Sequence, residues 1–356
     1  MGGMTFQYAL EFVIALTILI IVHELGHFLA CRLLKIEVEE FGLGLPPRLV
    51  RLFRLGGTDF TLNWIPLGGF VRPKGENDPS IPGGLAAARP AARISVALAG
   101  PLANLLLAVI AYAVTVGLLG ETDPQRLHQV EIKGVLPDSP AYHAGLQLGD
   151  ILLAINGEAV SSVEQARALI YQHLDQPVTI TYQRGDQVAS VTLTPQSRRS
   201  PQEGATGFQL GTPTRRVSVW KAVGHGFRLT YTHIAALVTM TGQLLTGRLP
   251  SADAEVVGPI GMGRIYVGMR ELTPVAGALR IVNILAFLIN VTVTLGLLNL
   301  LPVPALDGGR VVLALPELLF HRRLNPNLEN ALVATTFLLL LGLMIFVSLQ
   351  DLLSLR

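Results

Sequence analysis

His23, Glu24 and His27 fall in the run IIVHELGHFLACRLL, residues 20–34, in the order His-Glu-x-x-His. On a helix this spacing sets two imidazoles one turn apart on one face, where both can bind Zn²⁺ at about 2.0–2.1 Å. The glutamate between them then stands beside a coordination position that a water can fill, which is the arrangement of metal-assisted hydrolysis. The setting is unusual, because a soluble helix carrying this motif is amphipathic and this run is apolar on every side. Ionisable residues within a membrane span are costly, about 2.5–3.5 kcal/mol each for the strongly charged types on insertion scales, and mark function or pairing. Histidines satisfied by hydroxyls or carbonyls of other helices are the competing structural reading.

A catalytic zinc needs a third protein ligand and an open position. The best candidate is Asp307 in NLLPVPALDGGR. Two prolines there end a helix, and the glycine pair lets the backbone approach closely. Asp307 could instead cap the helix that follows.

These residues must be positioned by elements that suit a bilayer. Of 356 residues, 50% are hydrophobic and only 15% charged, and the formal charge of +2 gives no basic stripe for nucleic acid. The single cysteine, Cys31, excludes an intrachain disulfide framework and reads as a buried thiol. A helix crosses the hydrocarbon layer with about 20 apolar residues. Four stretches qualify: 8–34, 94–119, 279–301 and 331–349. The expected fold is therefore a polytopic α-helical membrane protein of four spans with both termini on one side. The first is not expected to be a cleaved signal peptide, since it lacks a basic start and runs too long.

Residues 32–93 carry nine Lys and Arg, and Arg310, Arg322 and Arg323 follow the third span, whereas none precedes Phe12. By the positive-inside rule those two loops are cytoplasmic, and the termini and the 120–278 region are outside. Within that region, residues 125–196 alternate short β-branched runs with turn residues, include a helical run at 163–174, and end in a hairpin around Arg184-Gly185-Asp186. Residues 227–245 are the ambiguous segment. Arg228, His233 and the Thr and Gln residues fall on one side of that helix, with Leu229, Ala236, Leu237 and Met240 on another, so an interfacial helix is expected. Parity agrees: with three spans before it, Asp307 reaches the side His23 faces.

HELGH in the first span, AGPLAN at 99–104, PVPALDGG at 302–309 and the β-rich external module, which is similar to a PDZ domain, resemble in order and topology the site-2 protease family of intramembrane zinc metalloproteases. The likeness covers nearly the whole chain and is nearest the bacterial RseP-type branch, with one PDZ module instead of a tandem. FTLNWIPLGGFVRPKGE is similar to the family's cytoplasmic-side membrane-re-entrant β-hairpin, here expected at 60–71, with Gly68 and Gly69 at the substrate. VVGPIGMGR, residues 256–264, resembles a family element leading to the third span.

The resemblance implies His23, His27 and Asp307 as zinc ligands, Glu24 as general base, and Asn299 as a holder of the substrate backbone. Asn104 would donate to that backbone or to the oxyanion, or else mark helix packing beside Gly100 and Ala103. The substrates implied are single-span membrane proteins, such as anti-sigma factors or remnant signal peptides, cut near the cytoplasmic side of the inner membrane. A peptide end in a groove between the 130–136 strand and the 163–174 helix, or a size filter, is implied for the PDZ-like module. The division expected is 1–34 first span, 35–92 loop with the hairpin, 93–120 second span, 125–196 PDZ-like module, 197–277 linker with the interfacial helix, 278–309 third span and LDG motif, 310–330 connection and 331–356 fourth span. Two other classes compete: a catalytically inactive membrane scaffold that presents the PDZ-like module, and a transporter with a His/Asp proton relay, which would require neither the His spacing nor the glycine-flanked aspartate.

Overall fold

The computed structural model describes residues 2–197, 204–248, 258–272 and 278–353. The chain divides into two compact units, one of residues 1–113, 223–267 and 285–356 and the other of residues 114–222 and 268–284.

In the first unit, α1 (Gly2–Leu33) leads into two long bent strands, β1 (Val38–Leu55) and β2 (Thr58–Pro73), and then α2 (Pro90–Leu119). Proline at the first position of α2 is favourable, because that N–H has no helical partner to lose. α1 and α2 meet at Gly26, where a methyl group would overlap the Ala99 carbonyl oxygen. Such small-residue contact suits helices in lipid, which associate through close packing.

The sheet is a four-segment arrangement. Residues 48–55 pair with 58–63 across the Gly56-Gly57 turn; 58–63 pair also with 38–43; and 38–43 pair on their other side with 69–73. The hairpin expected at 60–71 is thus corrected: its two arms do not pair with each other, because the first part of β1 lies between them. Leu43, for example, is opposite both Leu62 and Gly69. Residues 69–73 are left as one outer strand. Phe28 of α1 stacks edge-on against Phe41 and Phe60 at ring separations of 5.7 and 5.8 Å, which sets the sheet against α1 at the residue next to His27. Buried Glu40 is satisfied by Arg48, Arg72 and Thr61 at 2.8 Å each.

The second unit holds β3 (Glu121–Thr122), β4 (Val130–Val135), the one-turn α3 (Pro140–His143), β5 (Ile151–Ile155), β6 (Glu158–Ala159), α4 (Val163–Gln172), β7 (Val178–Arg184), β8 (Gln187–Leu193), β9 (Phe208–Gly211) and β10 (Thr214–Arg215). The main sheet runs β8-β7-β5-β4-β9, with β6 on β5, and β3 pairs with β10. Alternation brings Val130 and Ile132, and Val178 and Ile180, into its core, where they meet Leu152 and Ile155 of β5 and Ala166, Leu169 and Ile170 of α4. α4 starts where Ser162 accepts from the Gln165 N–H. Asp150 is buried in a two-pronged contact with Arg184, 2.7 Å on each oxygen.

Two expectations about this module change. Its sheet continues to β9, beyond residue 196. β4 pairs with β5 at Val130 and Glu131 and with β9 along Glu131–Val135, so its first residues have no free edge to offer a peptide; β8 and β9 are the outer strands.

The remaining helices are α5 (Val219–Leu245), α6 (Pro259–Leu272), α7 (Ala278–Asn299), α8 (Asp307–Phe320) and α9 (Pro326–Leu353). Among the described residues four helical segments are long and apolar enough to cross a membrane: Phe6–Leu33, Pro90–Leu119, Arg280–Asn299 and Pro326–Leu353. Their outward faces expose Leu10, Ile14, Ile18, Leu106, Ile110, Leu338 and Phe346, an apolar surface that lipid, not water, suits. α5 is not among the four. Its Ile234 and Leu237 pack on Ala108, Ala111, Ile289 and Val293, and its His233 accompanies them, bonded to Tyr112 Oη at 3.0 Å. His233 therefore lies on the packed face of α5 and not on an exposed polar side. Of VVGPIGMGR, residues 256 and 257 lie outside the described residues, and the rest starts α6.

Candidate metal centre

α1 presents His23 and His27 on one face, and both are largely buried. Asp307 reaches them from the first turn of α8. The cap residue of that helix is Leu306, with no side-chain cap bond, so the aspartate is not spent on capping. Its Oδ2 stands 3.1 Å from His23 Nε2 and 3.4 Å from His27 Nε2, and the two Nε2 atoms are 3.2 Å apart. The corners of a tetrahedron centred about 2.0 Å from each ligand are about 3.3 Å apart, so three corners of a zinc-sized site are in place. The donor set fits a divalent metal with a fourth position open.

The second ring nitrogen of each histidine matters as much. His27 Nδ1 is 2.8 Å from the Val96 carbonyl, which can only accept, so Nδ1 carries the proton and Nε2 keeps its lone pair for a metal. His23 Nδ1 is 3.2 Å from the Asn104 side-chain amide. Between these partners on α2 is Gly100, where a methyl group would overlap His27 Nε2. Both rings occupy the space a side chain would take.

Asp307 is delivered by close approaches further along the chain. Gly296 of α7 sits against Pro101 and Leu105 of α2, and Thr292 Oγ1 donates to the Asn104 carbonyl at 3.0 Å. After α7 the chain folds back so tightly that a methyl at Gly308 would overlap the Leu300 carbonyl and one at Gly309 that of Val303. The glycine pair of LDGG is a steric requirement of this fold-back.

Glu24 lines a cavity of about 380 Å³ together with His23, His27, Asp307, Asn299 and residues 70–73 of β2. Gly69 adjoins Glu24, since a methyl there would stand 3.4 Å from its Cγ and 3.3 Å from Ile20 Cγ2. Gly68, with φ +95°, turns β2 against Leu45 and is not in the cavity wall. Asn104 is absent from that wall too. It is fully buried behind His23, which fits the helix-packing alternative of the sequence reading and not donation to a substrate or an oxyanion.

Sequence reasoning missed the charged rim. Arg310, one turn past Asp307, bonds Glu76 at 2.6 Å, and Arg93 bonds Glu317 at 2.7 Å and Glu329 at 3.0 Å. Their spacing in the sequence gives no signal, because the partners are more than 200 residues apart.

A helix-borne His-Glu-x-x-His closed by a distant aspartate, on four apolar helices, defines a membrane metallohydrolase site. Residues 11–343 match peptidase family M50, and the chain belongs to that family, the site-2 proteases. Among its relatives, a protein of Clostridium perfringens provisionally named zinc metalloprotease is 31% identical over 348 residues, 97% of this chain and 98% of that one. A Nostoc protein with the same provisional name is 33% identical over 94% of this chain and 93% of its own. Metalloprotease MmpA of Caulobacter vibrioides is 28% identical over 95% of this chain and 93% of its own. A solved PDZ domain, of the SdrC-like protein from Listeria monocytogenes, is 25% identical at a TM-score of 0.20, covering 23% of this chain and 85% of that one.

Proposed function

We propose that this protein is a zinc-dependent intramembrane endopeptidase that hydrolyses peptide bonds in single-span membrane proteins. The observation that carries this reading is the convergence of His23, His27 and Asp307 at 3.1–3.4 Å with Glu24 in the same cavity. Bound zinc supplies Lewis acidity, polarising the scissile carbonyl and lowering the pKa of water toward neutrality. Glu24 takes the proton from the attacking water and hands it to the leaving amine nitrogen. His23 and His27 would present Nε2 to the metal, His27 with its Nδ1–H on the Val96 carbonyl, and Asp307 would supply the anionic ligand.

A peptide bond inside a helix is shielded by its own hydrogen bonds, so the substrate must unwind locally. The outer strand, residues 69–73, supports a way to compensate: an extended substrate adds to this edge and exchanges helical bonds for sheet bonds beside Glu24. Gly68 and Gly69 shape the approach to that edge, and Asn299 on the cavity wall offers its amide to the substrate backbone. Anti-sigma factors and remnant signal peptides are substrates of the required kind. The reading places the protein in the inner membrane with its termini and PDZ-like module outside and its site toward the cytoplasmic side, on the distribution of Lys and Arg. In that module a peptide would add to the edge of β9, one of the two outer strands of the sheet.

Purified wild type and Glu24→Gln, each incubated with a set of single-span helices, test the reading. About one zinc per chain is expected in both proteins, with cleavage by wild type alone. Equal cleavage by both removes Glu24 from the mechanism, and absence of metal from both leaves a membrane scaffold.

A further inference from the structure

Asn104 combines three features that its place in the cavity wall cannot explain, because it has none. Its side chain is fully buried, its Nδ2 position is 3.2 Å from His23 Nδ1, and its Oδ1 has no hydrogen-bond partner. A buried amide oxygen without a partner is costly, on the order of 1–3 kcal/mol. An amide donating to His23 Nδ1 has a second consequence. Nδ1 would then have to be the acceptor nitrogen, the proton would sit on Nε2, and Nε2 points at Asp307 and His27, where a ligand lone pair is needed.

Turning the amide by half a rotation about its last side-chain bond exchanges oxygen and nitrogen and moves little else. Oδ1 then accepts from His23 Nδ1–H, the unpartnered oxygen gains its bond, and His23 Nε2 is freed for the metal. His27 already has this arrangement through the Val96 carbonyl. We propose that Asn104 is the positioning residue of His23: its Oδ1 accepts the Nδ1 proton, selects the Nε2-ligating tautomer and fixes the ring plane. Its own position is held in turn by α7, since Thr292 donates to the Asn104 carbonyl. The same contact therefore ties the first histidine to the helix whose end delivers Asp307. This inference rests on the zinc reading of the site.

The test is zinc affinity of the metal-free protein, by competition with a chromophoric chelator, in wild type, Asn104→Asp and Asn104→Leu. Aspartate is acceptor-only near neutral pH and so reports the sense of the bond. Expected are affinity within about threefold of wild type for N104D and a loss of about 10–100-fold for N104L, the usual effect of removing such a partner. Cobalt substituted for zinc should show an altered visible absorption in N104L and a wild-type band in N104D. A tenfold or greater loss in N104D would overturn the proposal, since an amide donor cannot be replaced by a carboxylate, and so would unchanged affinity in N104L. If N104L fails to fold, N104D alone still decides the sense of the bond. Wild type that binds no metal would instead strike down the zinc reading, a different result from wild type and both variants binding alike.

Discussion

At the scale of single residues, the centre depends on side chains that are absent as much as on those present. Replacing glycine by alanine within a helix ordinarily stabilises it by roughly 0.5–1 kcal/mol. At Gly100 the added methyl would overlap His27 Nε2 and lie 2.8 Å from His23 Cε1, so the rings or α2 must move. Gly100→Ala is expected to leave the metal-free protein folded, with unchanged helical circular dichroism, and to weaken zinc binding at least about tenfold. Unchanged zinc affinity would show that α2 yields at Gly100 without disturbing the two imidazoles. That His23, Glu24 and His27 share one cavity was legible in the sequence, because one helix turn fixes their relation. Asp307 was legible as a nominee, through its glycines and the parity of the spans. The role of Asn104 was not, because nothing in AGPLAN tells whether its amide faces the cavity or the back of a histidine ring.

Elements carry a different kind of information, and the sheet beside the site illustrates it. The likeness of residues 60–71 to a hairpin marks strands there, but a strand's partner depends on pairing that the local pattern does not encode. Gly68 and Gly69 invite a turn between two neighbouring arms, yet β1 inserts between them. In the second unit, likewise, β9 joins β4 about 75 residues downstream, a non-local pairing that a four-residue strand cannot announce. The four spans were readable throughout, since length and apolarity suffice to identify them. The outer strand also yields a prediction. Gly69 is 3.2 Å, by its missing methyl, from the Gly42 carbonyl and within 3.4 Å of Ile20 and Glu24. Gly69→Val pushes that strand away from α1 while touching no ligand. Zinc stoichiometry should remain at about one, and cleavage of a single-span substrate should fall by about 10–100-fold, as displacement of a positioning element by about 1 Å does. Retained cleavage would separate this strand from substrate positioning.

For the molecule as a whole, the open question is what holds helices together whose surfaces mostly face lipid. α9 is the extreme case: of its side chains only Val347 is buried. It is fastened near its two ends. Glu329 takes Arg93 of α2 at 3.0 Å, and Asp351 accepts the Gly261 N–H at the start of α6 at 2.8 Å. Arg93 binds Glu317 of α8 as well, so one guanidinium joins α2, α8 and α9 and lines the cavity that holds the metal ligands. Removing one member of such a cluster strands the others; a fully buried case costs about 3–5 kcal/mol. Here the two carboxylates are 22% and 19% exposed, which discounts the figure to about 2 kcal/mol. Arg93→Met keeps the length of the side chain and removes the charge. It should lower the melting temperature by roughly 2–6 °C. Arg93→Lys should recover only part of that, because an ammonium cannot serve two carboxylates with a planar fork. Adding Glu329→Gln to the methionine variant should recover part of it, since Glu317 then keeps Arg323 at 3.9 Å and no carboxylate of the cluster is left without a cation. Differential scanning fluorimetry in detergent measures all four proteins. A methionine variant that melts with wild type would mean that the three helices are held by contacts other than this cluster.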